Sequence, residues 1–258
     1  MAGSTVVIGW GLAAALIVLV GIAAGVAAAG RLGVTRQMVT AAARAAVQLA
    51  VVSLVIVAVI GSLWLSAAFA LFMLAVAAGT SARRMTRDRT GLLAVVPIAT
   101  GAAVVLAVVL ASGAVPLTGV ALVPVSGIII GGAMTATSQA GRRALDELAT
   151  RRGEYEAALA LGFLDRDAAL LVARPSAAQA LTPPLDQTRT VGLVTLPGAF
   201  VGVLLGSGDP VQAGAAQLLV LIGLLAAESI AVVVTLELVA RGRIRRTREG
   251  VPARGGRR

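Results

Sequence analysis

The chain has 258 residues, 58% hydrophobic and 13% charged, with a mean hydropathy of +0.95, whereas soluble domains run near about 45–50% apolar and about 25% charged; this is the composition of an all-α integral membrane protein. Cysteine and histidine are absent and all 22 basic residues are Arg, which excludes disulfides, thiolate and imidazole chemistry, zinc sites built on those ligands, a Walker A lysine and a Schiff base. The net charge is +10, but seven aromatic residues offer no stacking platform for bases, so the position of the Arg residues relative to the membrane matters and nucleic acid is not an expected partner.

Apolar runs predict about seven transmembrane helices at roughly 20 residues each, in chain order 6–29, 39–60, 63–79, 92–111, 117–138, 191–206 and 213–240. No positive residue precedes the first run, so it reads as an uncleaved span. The connections alternate. Arg31, Arg36 and Arg44 flank the first connection, Gly61 and Ser62 form an uncharged second, and Arg83, Arg84, Arg87 and Arg89 mark the third. Residues 112–116 are uncharged, residues 142–189 carry seven Arg, residues 207–210 carry only Asp209, and the tail 241–258 carries eight Arg. All the Arg therefore fall on one side. By the positive-inside rule that side is cytoplasmic, which puts the amino terminus outside and the carboxyl terminus inside a multi-pass protein of the plasma (inner) membrane. Residues 1–240 form the transmembrane domain, and 241–258 read as a basic, disordered cytoplasmic arm attracted to anionic membrane lipid.

The long polar stretch 141–190 has too much pattern for a linker. Leu145, Leu148, Ala157, Ala158 and Leu161 recur near helical spacing, Gly162 is placed to end that helix, and Asp165 is placed to N-cap a second helix over 167–174 that Pro175 blocks from continuing. Within it stand Glu156-Ala157-Ala158, three residues, Gly162, nine residues, then Val172-Ala173-Arg174-Pro175. This resembles the EAA loop of ABC-transporter permeases, with Val172 for Ile and Arg174 departing from Leu. Small Ala side chains let such a helix sit close in a groove of a partner, and Gly permits the turn that presents it.

Further segments occur in order: Arg44 to Leu49 (RAAVQL), Ile128 to Met134 (IIIGGAM), Leu159 to Gly162 (LALG) and Gly192 to Gly198 (GLVTLPG). With the loop, they resemble the FetB family of bacterial ABC permeases associated with iron export, to which plant membrane subunits of aluminium tolerance are similar. The resemblance runs from about Arg31 to Ala240. It implies a permease domain with a helical cytoplasmic coupling loop at 141–190, in which Glu156, Ala157, Ala158, Gly162, Asp165 and Pro175 engage a separate ABC ATP-binding subunit. It also implies a homodimer of the permease. ATP and Mg belong to the partner, and this chain carries no cofactor and no catalytic role. The chain departs from the family's pattern at Val201-Gly202-Val203 and at Ala216-Gln217, where only Gln217 of a Tyr-Gln pair is kept.

Polar groups deep in apolar surroundings must face protein, water or cargo. Gln48, Gln217 and Glu228 are the deepest, and Arg44 lies one helical turn before Gln48 near the expected cytoplasmic mouth. Glu228 could bind a metal cation, relay a proton or pair with a hydroxyl. Thr135, Thr137, Ser138 and Gln139 make a polar end to the fifth span, where back-bonding to helix carbonyls competes with cargo contact. Pro197-Gly198 interrupts the short sixth span, where a broken helix would expose carbonyls to a solute. Arg44, Gln48, Thr135, Pro197, Gly198, Gln217 and Glu228 thus outline a translocation path. Glycines four apart, at 198, 202 and 206, at 127 and 131, and at 21 and 25, mark faces for close helix packing. Glu237 reads as a snorkelling or Arg-paired interfacial residue.

The expected function is the permease subunit of an ABC transporter that exports a metal ion such as iron. An importer or a carrier of organic solutes is the alternative, since His and Cys ligands are lacking; a non-transport scaffold is another. An embedded transferase would need a carboxylate cluster, and Asp146, Glu147, Glu154, Glu156, Asp165 and Asp167 alternate with Arg instead, as on a salt-bridged face.

Overall fold

In a bilayer the backbone finds no water, so the Ala-, Leu- and Val-rich runs close their hydrogen bonds within helices. The computed structural model describes residues 8–246; within these there are ten α-helices, and the only bridge is an isolated one between Val191 and Thr195. The start of the first expected span and most of the basic tail, 247–258, lie outside the described residues. The chain divides into two units, 1–59 and 60–258.

The first unit holds α1 (Trp10–Ala29) and α2 (Thr35–Ile60), whose last residue falls at the boundary. Both are long and apolar enough to cross a membrane. Their side chains are exposed almost throughout; α1 buries Ala27 and α2 buries none.

The second unit contains α3 (Leu63–Met85), a 3₁₀ turn (Arg89–Ala94) leading into α4 (Val95–Ala111), α5 (Gly119–Thr150), α6 (Arg152–Ala160), α7 (Asp165–Ala178), a 3₁₀ turn (Gln179–Leu181), α8 (Thr182–Thr190), α9 (Gly198–Ser207) and α10 (Pro210–Ala240). The centre is α5 against α10. Gly132 lies at Leu224 and Glu228, Gly141 at Thr235, and Asp146 pairs with Arg246, so the two helices run parallel. By the same logic α3 runs parallel to α5, with Gly119 at Ser66, Gly127 at Met73 and Ser138 bonded to Ser81. Helix α4 runs against α10, with Gly101 at Ala227 and Val105 at Gly223. The Arg-rich C-terminal ends of α3, α5 and α10 therefore gather at one end of the bundle.

The interior is built largely from small residues. Ala77, Ala102, Ala133, Ala227 and Ala231 surround Ile98, Ile129 and Val105 in one cluster, and Ala136, Ala140, Ala144, Ala173 and Ala177 surround Met85, Leu236 and Ile244 in another. Close approach uses Gly101, Gly119, Gly132 and Gly141, where an added Cβ would meet a neighbouring helix. The glycines spaced four apart at 198, 202 and 206 have nothing of this chain within 4 Å of such a Cβ, so they make no close helix approach within the chain. At Gly101 the obstruction is the Ala227 carbonyl at 2.5 Å. That atom is backbone and cannot swing aside, so Gly101→Ala is expected to destabilise the α4–α10 pair by about 1–3 kcal/mol. Thermal unfolding of the purified protein in detergent measures this, and an unshifted transition would contradict the close contact.

Two expectations change. Among the described residues six helices are long and apolar enough to span, and the expected span 191–206 is instead the ten-residue α9 preceded by an irregular stretch. The reason lies in Gly192, at φ +80°, and Pro197, extended at the N-terminus of α9, which break the run. The parallel course of α5 and α10 nevertheless requires the chain to return to the far end between them. The return is made by α8, the break and α9, about 14 Å and about 15 Å of helix by their rise. The second change is at Pro175, which sits inside α7 without ending it. Its missing N–H would have served Leu171, which is 59% exposed, so the loss falls on the outer face.

Candidate functional site

A cavity of about 290 Å³ opens between α5, α8 and α10, lined by Gly131, Gly132, Thr135 and Gln139 of α5, Pro183, Pro184 and Gln187 of α8, and Leu224 and Glu228 of α10. Glu228 is 7% exposed, and its carboxylate rests against the backbone of α5 at Gly132, where a Cβ would strike Oε1. Among the described residues it has no hydrogen-bond or ion-pair partner, so its oxygens are presented to the cavity. Such a group is costly away from water unless a ligand, water or proton compensates it. Two amides and one hydroxyl add neutral oxygens around it.

Other residues of the expected path are placed elsewhere. Thr135 reaches the cavity but its Oγ1 donates to Gly131 O at 3.0 Å, the back-bonded geometry of a helix hydroxyl. Gln217 is buried, and its Oε1 accepts from Phe200 N at 3.1 Å, so α10 supplies a cap to the first turn of α9. Pro197 and Gly198 lie at that same N-terminus, outside the cavity lining. Arg44 and Gln48 sit exposed on α2, in the first unit. Gln187, on α8, is a cavity residue that sequence reasoning missed. Its only signal was the Pro183-Pro184 pair, whose rigid start aims the following turn.

At the Arg-rich end, the expected helix through Leu145 to Leu161 is two helices, α5 and α6, hinged at Arg151. Gly162 ends α6 as expected: at φ +91° it lets Phe163 N donate to Ala158 O at 3.1 Å and Gly162 N to Leu159 O at 2.9 Å, a Schellman closure. Asp165 is the first residue of α7 and not its cap; it accepts from the Tyr155 hydroxyl at 3.0 Å across the turn. Partial burial, and then this bond, pushes the Tyr155 hydroxyl pKa up from its ordinary value. Ala158 is buried under α6, whereas Glu156, Ala157 and Pro175 are exposed. Leu161, Phe163 and Leu164 stand exposed at the tip between α6 and α7, at 80%, 47% and 72%.

The tip is tied to the bundle. Arg166 Nε and Nη2 donate to Glu237 Oε1 and Oε2 at 2.7 and 2.8 Å, and Arg241 Nε donates to Oε1 at 2.5 Å. The bond to Glu237 is the main cause raising the Arg166 pKa above its ordinary value. Glu237 is thus the Arg-paired residue read from the sequence, with Arg166 as an unforeseen partner. The other carboxylates of the loop are engaged too: Asp146 with Arg246, Glu147 and Glu154 with Arg151, Glu156 with Arg152, Asp167 with Arg166. Among the described residues no three acidic side chains gather as a metal site.

Six apolar spans among the described residues, a discontinuous return crossing and a helical tip at the Arg-rich end define a multi-pass membrane protein of the all-α class. Residues 10–244 match the uncharacterised protein family UPF0014, and the chain belongs to that family. It is 35% identical to the UPF0014 membrane protein STAR2 of Oryza sativa subsp. japonica over 214 residues, 81% of this chain and 74% of that one. It is 31% identical to Protein ALUMINUM SENSITIVE 3 of Arabidopsis thaliana over 72% of this chain and 69% of that one. With the probable iron export permease protein FetB of Escherichia coli (strain K12) it shares 31% identity over 57% of this chain and 56% of that one. No solved structure matches the chain.

Proposed function

We propose that this chain is the permease subunit of an ABC-type exporter of a metal cation such as iron, working as a homodimer in the plasma membrane with a separate ATP-hydrolysing subunit. The observation that carries the reading is the α6–α7 tip: Leu161, Phe163 and Leu164 stand exposed beside the Glu-Ala-Ala and Gly162 pattern, at the Arg-rich end. An apolar tip on a polar surface suits insertion into a groove of a partner protein. On this reading the Arg-rich end is cytoplasmic, the amino terminus is outside, and ATP and Mg stay with the partner. Glu228 and the amide and hydroxyl oxygens of its cavity suit a hard cation, which prefers oxygen ligands. The relative named as an iron export permease supports the choice of cargo. Because Glu228 supplies a single carboxylate there, an organic cation is the second reading.

The test is a gentle detergent pull-down of the tagged chain from native membranes with identification of the co-purifying ATPase and its activity. Gly162→Val puts a β-branched residue at positive φ, a strain of about 1–3 kcal/mol that falls on the tip alone. It is expected to lower partner capture about tenfold or more while insertion and yield are unchanged. Glu156→Lys, which breaks the pair with Arg152, is expected to weaken it less. Equal capture by all variants, or no ATPase under conditions that keep the membrane assembly intact, would remove the ABC assignment.

A further inference from the structure

A groove of about 990 Å³ opens at the Arg-rich end among the C-terminal ends of α3, α5 and α10. One wall is the segment 241–246, the first part of the basic tail, which is folded against the bundle. Ile244 is 1% exposed, Thr86 Oγ1 donates to Arg245 O at 3.0 Å, and Arg246 donates to Met85 O at 3.0 Å and to Asp146 at 2.6 Å. The wall is therefore fixed by main-chain and side-chain bonds from three directions.

The charge in the groove is unbalanced. Arg152 and Arg246 spend their charge on Glu156 and Asp146, and Arg87 and Asp88, which also line the groove, bring opposite charges that cancel in the total. Arg83, Arg84 and Arg245 also line the groove and are exposed, and among the described residues their guanidinium groups have no hydrogen-bond or ion-pair partner. Three helix C-termini offset part of this, at about half a negative charge each. That is roughly half of three full positive charges, and the groove stays cationic. Its accessible apolar floor is Leu148, half-buried, and Ala149, exposed, laid over the buried Met85, Leu145 and Ile244. The site lies where long apolar helices give way to polar loops, the level at which lipid headgroups sit.

We propose that this groove binds one anionic phospholipid, with its phosphate held by Arg83, Arg84 and Arg245 and its glycerol and first methylenes laid on Leu148 and Ala149. Basic pockets between membrane helices recognise anionic headgroups through this combination of charge and apolar contact, and Arg suits it because its planar fork meets two phosphate oxygens at once. The site stands whatever cargo the chain moves and whichever partner it has.

The experiment is native mass spectrometry of the full chain purified in mild detergent and incubated with equimolar phosphatidylglycerol and phosphatidylcholine. One retained phosphatidylglycerol per chain is expected. Replacing Arg83, Arg84 and Arg245 together by Gln should lower its retention by about tenfold or more, since each surface cation contributes separately. Replacing Arg142, Arg174 and Arg189 by Gln removes as many charges elsewhere and should change retention little. Retention of charge through Lys at the three groove positions should keep most of the preference, and this variant guards against a folding defect in the Gln triple. Equal loss in the groove and control triples would reduce the effect to general attraction and overturn the site. Displacement of the lipid by inorganic phosphate alone would make the groove a soluble-anion site and overturn the lipid assignment. A groove triple that keeps its lipid but no longer captures a partner protein would reassign the groove to docking and overturn it as well.

Discussion

On the proposed exporter reading, Glu228→Gln is expected to cut ATP-driven cation efflux by about tenfold while leaving the fold and partner capture unchanged, because a charged group contributes about 1.5–3 kcal/mol to such a contact where a neutral one contributes about 0.5–1.5. Glutamine fits the same space against Gly132, so the change isolates the charge. Glu228 is the carboxylate of a cavity whose other polar groups are neutral, which leaves a cation no second anion to fall back on there. Efflux from everted vesicles with a radioactive or fluorescent cation probe measures this directly. Flux equal to that of the unaltered protein would make Glu228 a structural residue and move the pathway away from the α5–α8–α10 cavity.

Arg166→Glu is expected to lower the amount of cargo moved per ATP hydrolysed by about tenfold, with partner binding and ATP hydrolysis retained, because a junction of this kind sets coupling more than stability. Arg166 belongs to α7, just past the exposed tip, and its two-point contact with Glu237 joins that helix to α10. Glu237 lies nine residues beyond Glu228 on the same helix, about 13 Å along the axis by helical rise. On the proposed reading, this contact is the route by which a displacement of the tip reaches the helix that carries the cavity carboxylate. In the variant two carboxylates face each other and the junction is repelled instead of held. Arg166→Lys keeps one contact and should retain an intermediate coupling ratio; equal ratios in all three proteins would show that the tip acts on the spans by some other route.

Long uniform apolar runs were readable as spans because composition and length decide them with little help from context, as α1, α4 and α10 show. The alternation of Arg was equally readable, and within the second unit the parallel α3, α5 and α10 gather Arg83, Arg84, Arg142, Arg143 and Arg241 at one end. Gly162 could be placed because a helix end at positive φ has few residue choices. The sixth run was misread because apolar character alone does not reveal a break: Gly192 and Pro197 outweigh the hydrophobicity around them. Pro175 was misread in the opposite direction, since the bond it forfeits lies on an exposed face and α7 continues. The cavity was only half legible. Glu228 stood out by its cost in apolar surroundings, but Gln187 is an ordinary amide on a short polar helix until the fold carries α8 beside α5. The role of Gln217 was also hidden, because the N–H it satisfies belongs to a helix that the sequence did not separate.

The ten-residue α9 has a consequence for how the chain enters the membrane. At about 15 Å it reaches half of a hydrocarbon core of about 30 Å, so it cannot be inserted as an independent span. Its Phe200 N–H is satisfied by Gln217, a residue translated later. With its acceptor on α10, α9 and the first half of α10 form a hairpin turned at Gly208 and Asp209, so the two make one unit of insertion in place of two separate spans. A chain that ends before α10 is therefore expected to leave α9 without the partner that satisfies its first turn.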